Sequence, residues 1–538
     1  MNIFDIILCM EFIKKYRLFL LILTVGILLR LINLDKAGGL WYDEITIYTI
    51  ASNFASDLHR FWHFPLYYCF YKTWIMLFGN SDLVIRSMSV FFDLLGIIFA
   101  FWTGRQLGIN LKIDGKKLGL CYMLLYAINS SFIYYAQEAK FYSLTFLFIN
   151  ILLLCWLKFI NNSNTKNFIF WCLSGLCLIM TYTSQSLLVL ILYFITFFIS
   201  TGNKKYLLFY PVVFIPVAVL CLTIPKYFSG NFDAVVYDNS FILLAVQNYF
   251  SPVLTGLQNN ILSYDKIILS EFFHIKFLLF VLFPVLYLIT AQIRALKEYK
   301  IVRYIFAAGV IYISLHIIFT LTSSYNVLVR YTLPVLPMLL LVCAAGLIKI
   351  KSRKKYSFLP SFLPSFLLCC FIILNLLGIL SLSGAPRIQR PDGYKYLAEL
   401  LVKVNINPAS DFVLPIRTEL IDKYYKITGK KFSLYTLNKK TLEKEDFIEN
   451  KITSDFKKFV EENYITGNTL VLLKDISICM FSDEQLKIIA SSENFDKYPL
   501  QFMRLSKLNN DLITVLSDKM HLKTKIQSKN WEIFVFEL

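Results

Sequence analysis

Eleven apolar runs, each close to the length needed to cross a bilayer, constrain this chain more than any other feature. They are Tyr16 to Leu34, Leu83 to Arg105, Lys117 to Tyr135, Glu138 to Phe159, Lys166 to Ser184, Ser186 to Ser200, Lys205 to Ile224, Lys276 to Arg294, Ile301 to Leu321, Leu328 to Lys349 and Pro360 to Ser383. Hydrocarbon offers backbone amides no partner, so a chain crossing it must close its hydrogen bonds within helices or within a sealed barrel. Runs of about 20 apolar residues without alternation select helices. Composition agrees: 57% of the residues are hydrophobic, 17% aromatic and only 17% charged. The first run is longer than a signal-peptide core, and no small-residue cleavage site follows it, so it is expected to be retained as a span. The expected fold class is a polytopic α-helical membrane protein of about 11 transmembrane helices.

Charge distribution sets the orientation. The formal net charge is +18, but from Ala385 onward 24 Lys/Arg face 21 Asp/Glu, and before it 30 face 15. The excess therefore sits in the short loops between spans, where positive charge fixes the cytoplasmic side. This distribution argues against a nucleic-acid partner. The run Phe64 to Phe78 is aromatic but short for a span. If it lies in the interface, the loops carrying Lys112/Lys116/Lys117, Lys158/Lys166, Lys204/Lys205, Arg294/Lys297/Lys300/Arg303 and Lys349 to Lys355 all fall inside with Lys14, Lys15 and Arg17. The same parity places outside the loop 35–82, the turn at Gln137 and Glu138, the loop 225–275, and everything after Ser383.

The tail changes character at Gly384-Ala385-Pro386. Short apolar runs such as DFVLP, NTLVLLK and WEIFVFEL alternate there with helix-like segments such as PDGYKYLAELLVK, the pattern of a small soluble α/β domain. The expected division is a membrane domain, 1–384, and an extracytoplasmic α/β domain, 385–538. Ten of the eleven cysteines precede Ala385, nearly all within apolar stretches, and no CxxC pair occurs. They read as small packing residues, not as disulfides or metal ligands.

Two polar clusters interrupt the apolar pattern, both on the outer side in this topology. The first is Trp41-Tyr42-Asp43-Glu44, an adjacent acid pair just beyond the first span. The second is Gln137-Glu138-Ala139-Lys140, between the third and fourth spans. Adjacent carboxylates at a bilayer surface bear desolvation and mutual repulsion, which favours a functional reason for them. Three cations stand near the same surface, Arg86, Lys140 and Arg330, and inside-loop topology does not explain them. A buried or interfacial cation needs a partner, for which a lipid phosphate is suited; snorkelling or pairing with Glu138 or Asp82 is the plainer alternative. The Phe64–Phe78 segment, with Tyr67, Tyr68, Tyr71 and Trp74, suits a helix lying at headgroup depth.

Taken in order, Trp41-Tyr42-Asp43-Glu44, then HFPLYYCFYKTWIMLFGNSDLVIRSMS, then Gln137 to Tyr142, then VRYTLPVLP at Val329 to Pro337, the motifs resemble the membrane glycosyltransferases of the GT-C superfamily. The resemblance is to the branch of the dolichyl-phosphate-mannose protein mannosyltransferases and the bacterial lipid A aminoarabinose transferases. It covers roughly Tyr16 to Ile350. The branch often carries His-Pro-Pro where this chain has His63-Phe64-Pro65. The resemblance implies transfer of a sugar from a polyprenyl-phosphate donor to a hydroxyl or lipid headgroup at the outer face of the plasma membrane of the cell envelope, with inversion. It assigns Asp43 as general base, with Glu44 and Glu138 beside it in the catalytic set. It makes His63, Arg86, Gln137, Lys140, Tyr142, Arg330 and Tyr331 the substrate-binding candidates. A divalent metal ion held by Asp43 and Glu138 is possible on the same grounds; no other cofactor is implied. The implied partners are the lipid-linked donor, an acceptor that is a membrane lipid, glycan or protein, and the bilayer itself.

Two other classes share many of these features. A transporter or flippase shows many spans and intramembrane charge, but with internal repeats and broken helices at mid-membrane. No repeat is visible here, and the acids gather at one surface. A non-catalytic envelope subunit would keep the spans and tail without needing Asp43.

Overall fold

The computed structural model describes residues 3–32, 34, 39–40, 42–52, 64–182, 185–199, 283–322, 333–352, 394–414, 421, 423–433, 469–475, 482–491, 500–527 and 531–537. The runs expected at Lys205 to Ile224 and Pro360 to Ser383 lie outside these residues, as do His63, Arg330 and Tyr331. The chain divides into two compact units. Among the described residues the first holds those up to 37 and those from 50 to 352, and the second holds Gly38–Thr49 together with those from Gln389 onward.

In the first unit the helices are α1 (Ile3–Leu31), α3 (Pro65–Phe78), α4 (Asp82–Asn110), α5 (Gly115–Ile128), α6 (Ser130–Ala136), α7 (Tyr142–Asn161), α8 (Thr165–Thr181), α9 (Ser186–Ile199), α10 (Phe283–Glu298), α11 (Lys300–Thr322) and α12 (Leu336–Ser352); α2 (Tyr42–Ser52) begins in the second unit. Among the described residues, α4 and α7 are long and apolar enough to cross a membrane, and three shorter apolar helices follow at Thr165–Thr181, Ser186–Phe198 and Leu333–Lys349. Several starts follow from local chemistry. Ser81, Asp114 and Asn164 each turn a side-chain oxygen onto the backbone N–H three residues on, satisfying one of the free donors of α4, α5 and α8.

The expected span Lys117 to Tyr135 is broken. Asn129 has extended backbone and accepts through Oδ1 from the amides of Ser131 at 3.0 Å and Phe132 at 3.3 Å, so one helix ends there and α6 starts. A short polar side chain that caps a new helix competes with continuation of the old one.

The α4–α5 pair approaches at backbone distance. Gly104 and Gly108 on α4 face Gly119 and Gly115 on α5. A methyl added at Gly119 would stand 2.6 Å from the Phe101 carbonyl oxygen, and one at Gly115 would stand 2.7 Å from that of Arg105. Small residues spaced four apart replace the hydrophobic drive that lipid removes, because close backbones gain dispersion contacts.

The second unit carries a five-stranded mixed sheet. Its strands are β1 (Asp411–Leu414), β2 (Lys431–Ser433), β3 (Thr469–Asp475), β4 (His521–Gln527) and β5 (Trp531–Glu537), in the order β2-β1-β3-β5-β4. β2 and β3 run parallel to β1, while β5 runs antiparallel to both β3 and β4. Helices α13 (Tyr394–Lys403), α14 (Asp483–Ser491) and α15 (Leu500–Lys519) accompany it. Leu470 to Leu473 and Ile533 to Phe536 form its core, and the edge strand β4 is exposed along nearly all its length. Lysines at 523 and 525 guard that edge, a common way to discourage pairing with another chain.

Candidate functional site

Five of the expected site residues lie in the first unit, four of them at one turn. The turn between α6 and α7 is held by backbone bonds from Glu138 N–H to the Tyr135 carbonyl (3.3 Å) and from Lys140 N–H to the Glu138 carbonyl (2.8 Å). Ser89, one turn along α4 from Arg86, donates its hydroxyl to the Lys140 carbonyl at 3.4 Å. This bond ties the turn to the stretch of α4 that carries Arg86. Arg86, Gln137, Glu138, Lys140 and Tyr142 are all buried, at 5% exposure or less. The ammonium of Lys140 lies 5.8 Å from the centre of the Tyr142 ring, within range of a cation–π attraction.

Glu138 is 5% exposed, on the turn that its backbone bonds hold. Gln137 is held by its side chain. Its amide nitrogen donates to the carbonyls of Arg30 (3.0 Å) and Ile32 (2.8 Å), closing off free acceptors at the end of α1. The residue expected to bind substrate thus fastens the acidic turn to the first helix.

Beneath this turn is a buried charge network that the sequence reading did not single out. Arg30 and Asp93 are both 0% exposed and form an ion pair through Nε and Oδ2. Tyr126 donates its hydroxyl to the other Asp93 oxygen at 3.0 Å, and Arg30 Nη1 donates to the carbonyls of Ala127 (2.8 Å) and Gly26 (3.1 Å). One network therefore joins α1, α4 and α5 and, through the Arg30 carbonyl, the Gln137 side chain. The available signal was the pair of opposite charges inside two apolar runs, since intramembrane charges are found paired.

Aromatic rings wall one side of the turn. Phe64 stacks on Phe141 at 4.3 Å between ring centres, and Tyr182 lies 4.5 Å from Phe141 and 5.6 Å from Phe64. They connect the start of α3 and the end of α8 to the residue just after Lys140. On α3, Tyr67, Tyr68 and Tyr71 are buried while Met76, Leu77 and Phe78 are exposed.

The acid pair lies in the second unit. Asp43 and Glu44 stand in the first turn of α2, and Glu44 is buried at 1% exposure; the side chain of Asp43 is outside the described residues. Among the described residues no group of three His, Cys, Asp or Glu side chains is placed to hold a metal ion. Glu138 alone does not make a metal site.

The chain superposes over 97% of its length on 98% of ArnT from Cupriavidus metallidurans in the apo state, with a TM-score of 0.58 and 11% identity. The chain shares the ArnT fold. The same ArnT bound to undecaprenyl phosphate superposes with a TM-score of 0.54 at 12% identity, again covering 97% and 98% of the two chains. An Archaeoglobus fulgidus oligosaccharyltransferase tethered with an acceptor peptide gives a TM-score of 0.45 at 14% identity, over 92% of this chain and 72% of that one. No protein-family model and no curated protein sequence matches the chain. At 11–12% identity the likeness to ArnT is one of fold.

Proposed function

We propose that this protein is a membrane glycosyltransferase that moves a sugar from a polyprenyl-phosphate donor to an acceptor hydroxyl or lipid headgroup at the outer face of the cell membrane, with inversion. The observation that carries the proposal is the buried turn that brings the acid Glu138 and the cation Lys140 together and is tied to the helix of Arg86, in a chain with the ArnT fold. The ArnT structure with undecaprenyl phosphate bound supports a lipid phosphate as the leaving group. In this reading residues 1–384 form the transferase domain and 385–538 an extracytoplasmic domain.

The chemistry assigns one task to each group. The acceptor oxygen attacks the anomeric carbon, the bond from that carbon to the phosphate oxygen breaks, and the electron pair leaves with the polyprenyl phosphate. Asp43 takes the proton of the attacking hydroxyl, with Glu44 beside it fixing the local geometry, while Glu138 contacts the acceptor. Arg86, Lys140 and Arg330 stabilise the charge that grows on the departing phosphate, with His63 and Tyr331 as further substrate-binding residues.

The test is Asp43→Asn, which keeps size and most hydrogen bonding but accepts no proton at neutral pH. With the lipid-linked sugar that accumulates in cells lacking the protein as donor, turnover is expected to fall about a hundredfold or more, with undecaprenyl phosphate binding retained. Near-normal turnover would move the base role to Glu138. Absence of any accumulating lipid-linked sugar would favour a transporter or a non-catalytic subunit.

A further inference from the structure

The second unit is built from parts far apart in sequence: the Gly38–Thr49 segment and the tail from Gln389 onward. Among the described residues, contacts that join the segment to the tail lie on both sides of the acid pair. Before it, the Leu40 N–H donates to the Tyr424 hydroxyl oxygen at 2.8 Å. Gly39 lies so close to Lys395 that an added methyl would stand 2.6 Å from that residue's Cβ and 3.4 Å from the Tyr424 hydroxyl. Beyond the pair, one helical turn past Glu44, the Lys423 ammonium lies 4.8 Å from the centre of the Tyr48 ring and 5.1 Å from that of Tyr424.

The tail side of these contacts is itself fixed. Ile421 is buried at 1% exposure, and Tyr425 donates its hydroxyl to the Ile406 carbonyl at 2.7 Å while its ring packs 6.0 Å from that of Phe412 on β1. The turn bearing Lys423 and Tyr424 is therefore anchored in the sheet core on one side and against the acid segment on the other. A general base must be held to within fractions of an ångström of its productive position, and a displacement of about 1 Å costs on the order of a hundredfold in rate.

We propose that the tail domain is a positioning clamp for the acid helix, with Tyr424 and Lys423 as its positioning residues, holding Asp43 in register from a part of the chain nearly 400 residues away. The proposal rests on the catalytic reading of Asp43. It gives the tail a task in the chemistry instead of one confined to acceptor recognition.

The test uses the full-length protein in lipid nanodiscs, with Tyr424→Phe, Lys423→Met and the conservative Lys423→Arg. Amide exchange of the peptide covering 38–52 reports the clamp directly, without reference to activity. Turnover and donor KM are read with the lipid-linked sugar extracted from cells lacking the protein. Tyr424→Phe and Lys423→Met are each expected to raise exchange in that peptide and to lower kcat about tenfold, with donor KM changed less than about threefold. Lys423→Arg, which keeps the cation over the ring, is expected to retain activity. In an Asp43→Asn background the same changes should lower the residual rate no further, because residues acting through one group are not additive. Unchanged exchange overturns the clamp. Raised exchange with normal kcat, where Asp43→Asn is inactive, overturns its catalytic role. Raised exchange where Asp43→Asn is itself active leaves the clamp standing and removes the catalytic reading of Asp43.

Discussion

Removing the Asp93 carboxylate tests the buried network beneath the acidic turn most directly. Asp93→Ala leaves the Arg30 guanidinium at 0% exposure with no counter-charge, and leaves the Tyr126 hydroxyl without its acceptor. Breaking one side of a buried ion pair costs about 3 to 5 kcal/mol, most of it from the charge left behind. That is roughly two to nearly four powers of ten in the unfolding equilibrium, and a large part of the total stability of a typical protein. Arg30→Met, Asp93→Leu and Tyr126→Phe together remove the charged and hydroxyl side chains of the network instead of orphaning one charge. The triple variant should lie within about 2 kcal/mol of the parent, the remainder reflecting the donor lost to the Ala127 carbonyl. The assay is unfolding in mixed micelles by increasing sodium dodecyl sulfate, followed by tryptophan fluorescence. A single variant costing less than about 1 kcal/mol, or a triple variant no more stable than the single one, would refute the argument.

Three further outcomes follow from other parts of the structure. Gly119→Val places a branched side chain where even a methyl would meet the Phe101 carbonyl, so it should force α4 and α5 apart and lower the thermal midpoint in detergent by several degrees, while Leu83→Val at an exposed position of α4 should not. In the tail sheet, burial raises the Glu532 carboxyl, but a hydrogen bond from Lys525 at 2.7 Å and the charges of Lys474 and Lys525 outweigh it and hold the group below the usual carboxylate range. A depressed carboxylate contributes stability that is present above its unfolded value, about 4.3, and is lost as pH falls through the folded one. Amide protection of β5 should therefore fall below about pH 4 in the parent, with a weaker pH dependence in Glu532→Gln. Cysteine labelling in intact cells should reach engineered sites after Ala385 and in the Asp43 loop from outside, and sites at Lys116 and Lys354 only after permeabilisation; an inside tail would separate the acids from the outer leaflet.

Much of the helical part was written in local chemistry. Apolar length marked α4 and α7 as spans, and the capping oxygens of Ser81, Asp114 and Asn164 stand where helix starts need them. The polar interruption from Gln137 to Lys140 was likewise legible as a turn, because three polar residues in four that solvate poorly in lipid cannot continue a span. The sequence by itself also held the glycine spacing of α4 and α5, although which helix it faced depended on packing. Only the tertiary structure decided that Gln137 caps α1, that Arg30 pairs with Asp93 across 63 residues, and that Leu40, just before the acid helix, bonds Tyr424 across 384. Periodicity, caps and hydropathy report on neighbours within a turn or two of helix. A side chain's distant partner depends on how whole elements pack, and no local pattern carries that information.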